Sequence, residues 1–405
     1  VFFLTVSLLL MSCEAAGGAK TVRVATFNIA MGLEEPGQMG AALASGEDPR
    51  LRQVAEILRR VRPDVVLWDE GEFDPGVDAA ALFNERYVYV TRSRIESGMT
   101  GSDDGAMGSD AGAGGSEPIR YPYSYRAAVN TGVDSGLDLD GDGRLGGPGD
   151  TWGFGRFPGQ YGMLVLSRFP VKLKKSRSFR HFRWAALPGA RRPLNADGTP
   201  FHPDEVWQQL RLSSKSHWDV VIEIGGEELH LLAHHPTPPV FDGPENRNGL
   251  RNYDEIRFWR EYTNPAGADF IVDDEGQSGG LQPGNRFVIA GDYNADPHDG
   301  DSEENAIGQL LEAEWINSDC VPLSAGGKAA AKSQGGVNQQ QKGDPAADTA
   351  DFADQRAGNL RLDYVLPSTN LTVVDCGVFW PNANEAGHEL VEVSDHRLVW
   401  LDISL

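Results

Sequence analysis

Cysteine is scarce in this chain: Cys13, Cys320 and Cys376 are the only three in 405 residues, so at most one intrachain disulfide can form. Basic charge is also short. Against 59 Asp and Glu stand 36 Lys and Arg, a net charge of −23, which argues against a protein that wraps nucleic acid by bulk electrostatics. That deficit leaves room for an enzyme that touches phosphate through a few local groups and metal ions. The apolar stretch from Val1 to Met11 is too short to span a bilayer, which takes roughly 20 residues. No motif recurs at a period of about 20 to 50 residues, so a solenoid is not supported.

What is present suits a globular α/β chain with many turns and some long loops: 40 % hydrophobic residues, 48 Gly and 24 Pro. Residues 1–20 have the apolar stretch, small-residue region and Gly/Ala tether of a secretory leader. Leu10-Met11-Ser12-Cys13 also resembles a lipoprotein box, with Met11 where a small residue is usual. A signal peptide and a lipid anchor at Cys13 are therefore both open. Either implies export, to the exterior, the periplasm or the bacterial envelope, and the expected mature chain is a monomer without a transmembrane segment. With Cys13 removed or lipidated, Cys320 and Cys376 form an even pair that an oxidising compartment permits, without requiring, to bond.

Residues 21–405 read as one domain. "TVRVATFNIA" alternates like a strand and ends at Asn28; Leu51, Val54, Ile57 and Leu58 then recur at helical spacing until Pro63. Further strands are expected in "DVVLWDE", "GMLVLSRFPV", "WDVVIEIG", "ELHLLAHHP", "RFVIAGDYN", "LRLDYVLPS" and "RLVWLDISL", with helices in the second half of "ENRNGLRNYDEIRFWREYT" and in "NAIGQLLEAEW". Two Gly-, Ser- and Asp-rich or polar stretches, at about 96–118 and 323–358, read as flexible insertions. Helices interrupt several strands that have only short connections between them, which favours two packed sheets with helices outside.

The strands break into polar groups at their ends. Asn28 follows "VATF", Glu70 follows "VVLWD", His235 follows "LLAH", and Asp292 and Asn294 follow "VIAG"; Asp363 lies in "RLDYVL" and the pair Asp395-His396 in "VSDHR". Polar ends gathered at one rim of a sheet can line a pocket. Carboxylate and amide oxygens suit Mg²⁺ or Mn²⁺, a carboxylate can orient or deprotonate water, and histidine can shuttle protons, which is the equipment for hydrolysing a phosphate ester.

The motifs "TFNIAMG", "PDVVLWDE", "YGMLVLSRFPV", "LAHHP", "GDYNADP", "LDYVL" and "SDHR" occur in an order that resembles the endonuclease/exonuclease/phosphatase superfamily, in a form like its bacterial exported members. The resemblance implies a four-layer α/β/β/α sandwich of two packed, mostly antiparallel sheets. It implies Glu70 as principal metal ligand, with Asn28 and Asp395 on the metal side. Asp292 and Asn294 would orient the attacking water and hold a phosphate oxygen, His235 would contact the phosphate, and Asp363 would fix the tautomer of His396. Where the family usually shows Gln-Glu or Asn-Glu, this chain has "WDEGEFD", so Glu72 competes with Glu70. Lys215 and His217, in "RLSSKSHWDV", are further candidates for binding substrate.

Two stretches stand apart from that set. "DLDGDGRLGGPGD" places Asp138, Asp140 and Asp142 like the first half of a calcium loop, with Gly149 at the twelfth position and Asp150 one residue late. Residues 171–195 hold eight Lys or Arg and no acid, with Phe179, Phe182 and Trp184 between them, a patch able to draw an anionic substrate. The expected function is a metal-dependent phosphoesterase favouring phosphodiesters, nucleic acid among them. The alternatives are a phosphomonoesterase, a sphingomyelinase-like lipid hydrolase, and an inactive calcium-binding surface module.

Overall fold

The computed structural model describes residues 21–89 and 118–405. The expected leader at 1–20 and nearly all of the insertion at 96–118 lie outside them. Its strands are β1 (Thr21–Asn28), β2 (Val65–Glu72), β3 (Tyr123–Tyr125), β4 (Gln160–Ser167), β5 (Arg177–Ser178), β6 (Trp218–Ile224), β7 (Glu227–Ala233), β8 (Arg286–Asp292), β9 (Ala350–Asp351), β10 (Asn359–Leu360), β11 (Asp363–Pro367), β12 (Thr372–Val378) and β13 (Val399–Ser404). The α-helices are α1 (Gln38–Ser45), α2 (Pro49–Val61), α3 (Ala79–Phe83), α4 (Asp204–Trp207), α5 (Arg247–Tyr262), α6 (Gly308–Leu311) and α7 (Ala325–Gln334).

One sheet runs β12-β13-β1-β2-β4-β3 and the other β11-β8-β7-β6-β5, with β9 and β10 forming a small separate pair. Only β1–β2 and β7–β8 are parallel; the other neighbours within the two large sheets are antiparallel. The two-residue period of the strands explains how the layers stack. Val22 and Val24 of β1, Val65 and Leu67 of β2, Leu229 and Leu231 of β7 and Val288 and Ala290 of β8 share one buried cluster between the sheets. Their neighbours Ala25, Phe27, Val66 and Trp68 pack outward with Leu51, Val54 and Leu58 of α2. On the far side, Phe287 and Ile289 pack with Ile256, Phe258 and Trp259 of α5. Three apolar layers between four tiers of structure make the expected α/β/β/α sandwich.

Three segments differ from the expectation drawn from sequence. Residues 323–358 are not a structureless loop: Ser324 caps α7 by accepting the Gly327 N–H at 3.0 Å, and Ala331 is buried. Helix α5 begins at Arg247, well before the apolar periodicity that marks its second half. The helix expected over 305–315 shortens to α6, since the chain turns at Ala313 and Ile316, both buried.

Cys320 and Cys376 are joined, across a separation of 56 residues, tying the segment after α6 to β12. Loop-closure entropy for that length puts the bond at about 4 kcal/mol. Reduction is therefore expected to lower the free energy of unfolding by that amount, read from urea melts with and without reductant. An unchanged midpoint would mean that the loop is already fixed by its packing.

Candidate active site

The inward faces of the strands do not stay apolar to their ends. Continuing the two-residue period, Val22 and Val24 lead to Thr26 and Asn28, Val65 and Leu67 to Asp69, Leu231 and Ala233 to His235, and Val288 and Ala290 to Asp292. All of these polar residues are buried. Strand pairing sets Asn28 beside Asp69 and Asp363 beside Asp292, and two bonds cross between the sheets. Asn28 Nδ2 donates to Asp292 Oδ2 at 3.0 Å, and the Asp292 N–H to Asp69 Oδ2 at 3.3 Å. Within its own sheet Gly291 lets β8 lie close against the end of β7, because a Cβ there would lie 1.8 Å from the carbonyl oxygen of His234.

Glu70 reaches the same place by a different device. The register of β2 against β4 shifts between Trp68 and Gly71, and Glu70 takes φ +62°, a left-handed conformation rare for glutamate. Bulges of this kind redirect a side chain, and such strain persists where surrounding structure holds it. The Glu70 carboxylate, 27 % exposed, comes within 3.9 Å of His235 Nε2. Glu72 is engaged elsewhere: it accepts the N–H groups of Gly37 at 2.6 Å and Met39 at 3.1 Å, holding the start of α1. Of the two glutamates, Glu70 is the one brought to the polar cluster.

Asp292 Oδ2 is the focus, 3.5 Å from His235 Nε2 and 3.5 Å from His396 Nε2. His396 Nδ1 meets Asp363 Oδ2 at 2.9 Å, and Thr349 donates its hydroxyl to the same oxygen at 2.7 Å. Burial pulls the His396 imidazole down, but the carboxylates of Asp363 and Asp292 outweigh it and hold the ring well above its usual range. His235 lies well below it, pushed down by burial and by the cations Lys215 and His396. Burial raises Glu70, raises Asp69 well above the carboxylate range with help from Asp292, and lifts Asp292 to about 6. The result is one charged and one neutral histidine around a carboxylate able to take a proton near neutrality.

The donor set fits a divalent cation. Ligand atoms of Glu70, His235 and Asp292 lie within 4.8 Å of one another. Desolvation works against each carboxylate, and Asp69 Oδ1 and Asp363 Oδ1 are buried without partners. A cation offsets that cost directly.

Other expected residues fall at varying distances from this focus. Asn294, at φ +50°, donates its N–H to Asp292 Oδ1 at 2.9 Å and its Nδ2 to the Pro236 carbonyl at 3.3 Å. Asn28 bonds through Nδ2 to Asp292, and its Oδ1 accepts the Ala30 N–H at 3.0 Å, so its amide braces a carboxylate. Lys215 is buried and feels the charges of Glu255, Glu70 and Asp292. His217 is not exposed to any substrate: its ring is buried, stacks on His234 at 3.5 Å, and pairs with Ser213 Oγ and the Glu255 carbonyl. Asp395 is exposed and lies outside the three groups of potential metal ligands among the described residues.

Sequence reasoning missed four contributors. Asp69 sits beside Glu70 in the same motif, but only strand parity distinguishes the inward one. Ser394 accepts the His396 N–H at 3.0 Å and donates to the Asn28 carbonyl at 2.7 Å, tying two motifs together. Asn252 and Glu255, three apart on α5, reach the site's loops from behind. Asn252 Nδ2 donates to the carbonyls of Thr237 at 2.8 Å and Tyr293 at 3.0 Å. Glu255 accepts the N–H groups of Ser214 at 2.5 Å and Thr237 at 2.6 Å. One helix face thus holds the loops that carry Lys215, His235 and Asp292. Glu255→Gln replaces one of two acceptors with a donor, and is expected to lower kcat by about 10–100-fold with KM little changed. A loss confined to stability would show Glu255 to be structural alone.

The loop from Asp138 also departs in part from expectation. Oxygens of Asp138, Asp140 and Asp150 gather within 4.8 Å, whereas Asp142 is exposed and accepts the Arg144 N–H at 2.8 Å. Asp150 takes the closing place from Gly149, where a Cβ would lie 2.1 Å from Asp140 Oδ2.

A two-sheet sandwich with this polar inter-sheet end is the framework of a phosphoesterase. The chain belongs to the Endonuclease/Exonuclease/phosphatase family, whose model matches residues 25–396. No curated protein matches its sequence. Among solved structures it is similar to an endonuclease/exonuclease/phosphatase from Beutenbergia cavernae, at 18 % identity and TM-score 0.49, covering 95 % of this chain and 72 % of that one. A family protein from Leptotrichia buccalis gives 15 % and 0.46, covering 95 % and 100 %. Sphingomyelinase C from Streptomyces griseocarneus gives 14 % and 0.44, covering 95 % and 99 %.

Proposed function

We propose that this protein is an exported, divalent-metal-dependent phosphoesterase that hydrolyses phosphodiesters with activated water and without a covalent intermediate. The observation that carries the reading is Asp292 Oδ2, within 3.5 Å of both His235 and His396 and bonded to Asn28. Glu70 offers the oxygens that Mg²⁺ or Mn²⁺ prefers, and a cation there would supply charge neutralisation at the phosphate and lower the pKa of attacking water.

The chain's own residues do the rest. Asp292 accepts the proton of the water, with Asn28 and Asn294 fixing its two oxygens. His235, kept neutral by burial, contacts the phosphate. His396, kept charged by Asp363, faces the developing negative charge and can return a proton to the leaving oxygen. Lys215 adds a buried positive charge behind the phosphate. A structural Ca²⁺ at Asp138, Asp140 and Asp150 belongs to the same reading, and the Cys320–Cys376 bond supports export, since such bonds persist in oxidising compartments.

The test is a panel of a phosphodiester, a phosphomonoester and sphingomyelin, each with Mg²⁺ or Mn²⁺. Turnover is expected on the diester above the others. Preference for the monoester or the lipid would replace the substrate class, and no turnover on any would sink the enzyme reading.

A further inference from the structure

The basic stretch at 171–195 is sorted by its partners. Lys172, Lys175, Arg177, Arg191 and Arg192 are ion-paired, with Glu223, Glu228, Asp273, Glu303 and Asp204 respectively. Among the described residues, Arg180 and Arg183 make no ion pair with a carboxylate, and neither does Arg211. These three are brought together. Arg183 pairs with Arg211 in an antiparallel bridge, flanked by Trp184 N to Leu210 O and Leu212 N to Phe182 O, both 2.8 Å. In that pattern the facing residues are of the close, non-hydrogen-bonded type, and like charges so placed are destabilising unless something anionic lies between them. Arg180 adds to the same field: burial and Arg180 together pull Arg211 down to about 10. Asp274 works the other way on Arg211, raising it, while its own oxygens are held by the Ser178 hydroxyl and the N–H groups of Arg180 and His181.

The position of this cluster is set by the sheet. Strands β5 and β7 are both antiparallel to β6, so Arg180, just past β5, and His235, just past β7, leave the sheet at the same end. From β8, which ends in Asp292, the order β8-β7-β6-β5 is three strand spacings, about 14 Å. Arg211 is also four residues before Lys215 in the chain. Aromatic surface accompanies the charge. The Arg211 guanidinium lies 4.6 Å from the centre of the Trp152 ring, and Phe154 is 61 % exposed. Gly153 between them lies so close to Ser214 that a Cβ would sit 1.9 Å from its carbonyl oxygen, so the loop is held against the strand leading to Lys215.

We propose that Arg180, Arg183 and Arg211 bind the backbone phosphates of a single-stranded nucleic acid beside the scissile diester, with the exposed Phe154 stacking a base and Trp152 holding the Arg211 guanidinium in place, an inference that rests on the phosphodiesterase reading above. The protein's net charge of −23 repels a polyanion in bulk, so recognition has to come from a local patch of this kind.

The test is fluorescence polarisation of a labelled oligodeoxythymidylate of about 12 nucleotides in EDTA, where no turnover interferes. Arg180→Ala/Arg183→Ala is expected to weaken binding at least about tenfold and to make the salt dependence of log Kd shallower by about 1.4, two contacts at about 0.7 each. Arg183→Glu, at an exposed position, should weaken it further without altering the melt, while Lys174→Ala in the same stretch should not. No binding by the unaltered protein, or equal binding by the variants, would overturn the proposal. Hydrolysis of bis(p-nitrophenyl) phosphate by the unaltered protein is assayed separately. Its absence would remove the phosphoesterase reading and leave the binding result standing.

Discussion

Asp292→Asn is expected to lower turnover by about a thousandfold while leaving the melting temperature unchanged or higher. The two halves of that expectation have one cause. Asp292 is buried at the end of β8, and burial together with the charge of Asp363 raises it to about 6. Folding therefore disfavours its ionised form, which is the form that accepts a proton from water. Asparagine keeps the shape and an oxygen for the Asn294 N–H, and removing the buried charge offsets the loss of the bond from Asn28 Nδ2, which then faces an amide nitrogen, but it is neutral and cannot act as a base. A group present for stability would behave the opposite way. If Asp292→Asn melts several degrees lower and keeps its activity, the carboxylate is a structural tie and the site lies elsewhere.

Acid is expected to unfold the protein through a second buried group. Burial pushes His217 down to about 3, and His234, stacked on it at 3.5 Å, well below its usual range. An unfolded histidine takes up a proton near 6.5, and the folded pair cannot. The contribution of their neutral forms is fully present above about pH 6.5 and declines as pH falls toward the folded values. The loss is about 1.4 kcal/mol per pH unit for each ring, or about 3 kcal/mol from His217 alone by pH 4. The raised carboxylates Asp69 and Asp292 act with the opposite sign, since they bind protons more readily when folded. Comparing the unaltered protein with His217→Asn isolates the imidazole. Urea melts from pH 7 to pH 4 should show the variant losing stability less steeply, and parallel curves would contradict the assignment.

How much of this was legible beforehand depended on whether a signal was local. The strands carry their two-residue alternation in the chain itself, so β1, β2, β7 and β8 and the polar residues ending them could be read directly. The resemblance of seven motifs to a known superfamily supplied the pairing of Asp363 with His396, which the structure brings to 2.9 Å. Counting seven residues from Pro63 selects Glu70, while the "EFD" match selects Glu72; what separates them in the fold is a register shift in β2 and the start of α1. His217 looked like a binding residue because it stands with Arg211 and Lys215 just upstream of a strand. Only the packing of α5 shows it sealed beneath Phe258 and Trp259. Asn252 and Glu255 gave no signal, since their partners are backbone groups of three loops distant in sequence. The basic stretch was visible as charge, but which two of its arginines lack acids is a property of the folded surface.

The most direct test of the account is hydrolysis of bis(p-nitrophenyl) phosphate by protein stripped with EDTA, before and after Mg²⁺ or Mn²⁺ is restored. The account predicts no turnover from the stripped protein and recovery on adding either ion, with Glu70→Gln failing to recover. Turnover that persists in EDTA, or a Glu70→Gln protein that recovers like the unaltered one, would contradict a metal-dependent site in which Glu70 holds the ion.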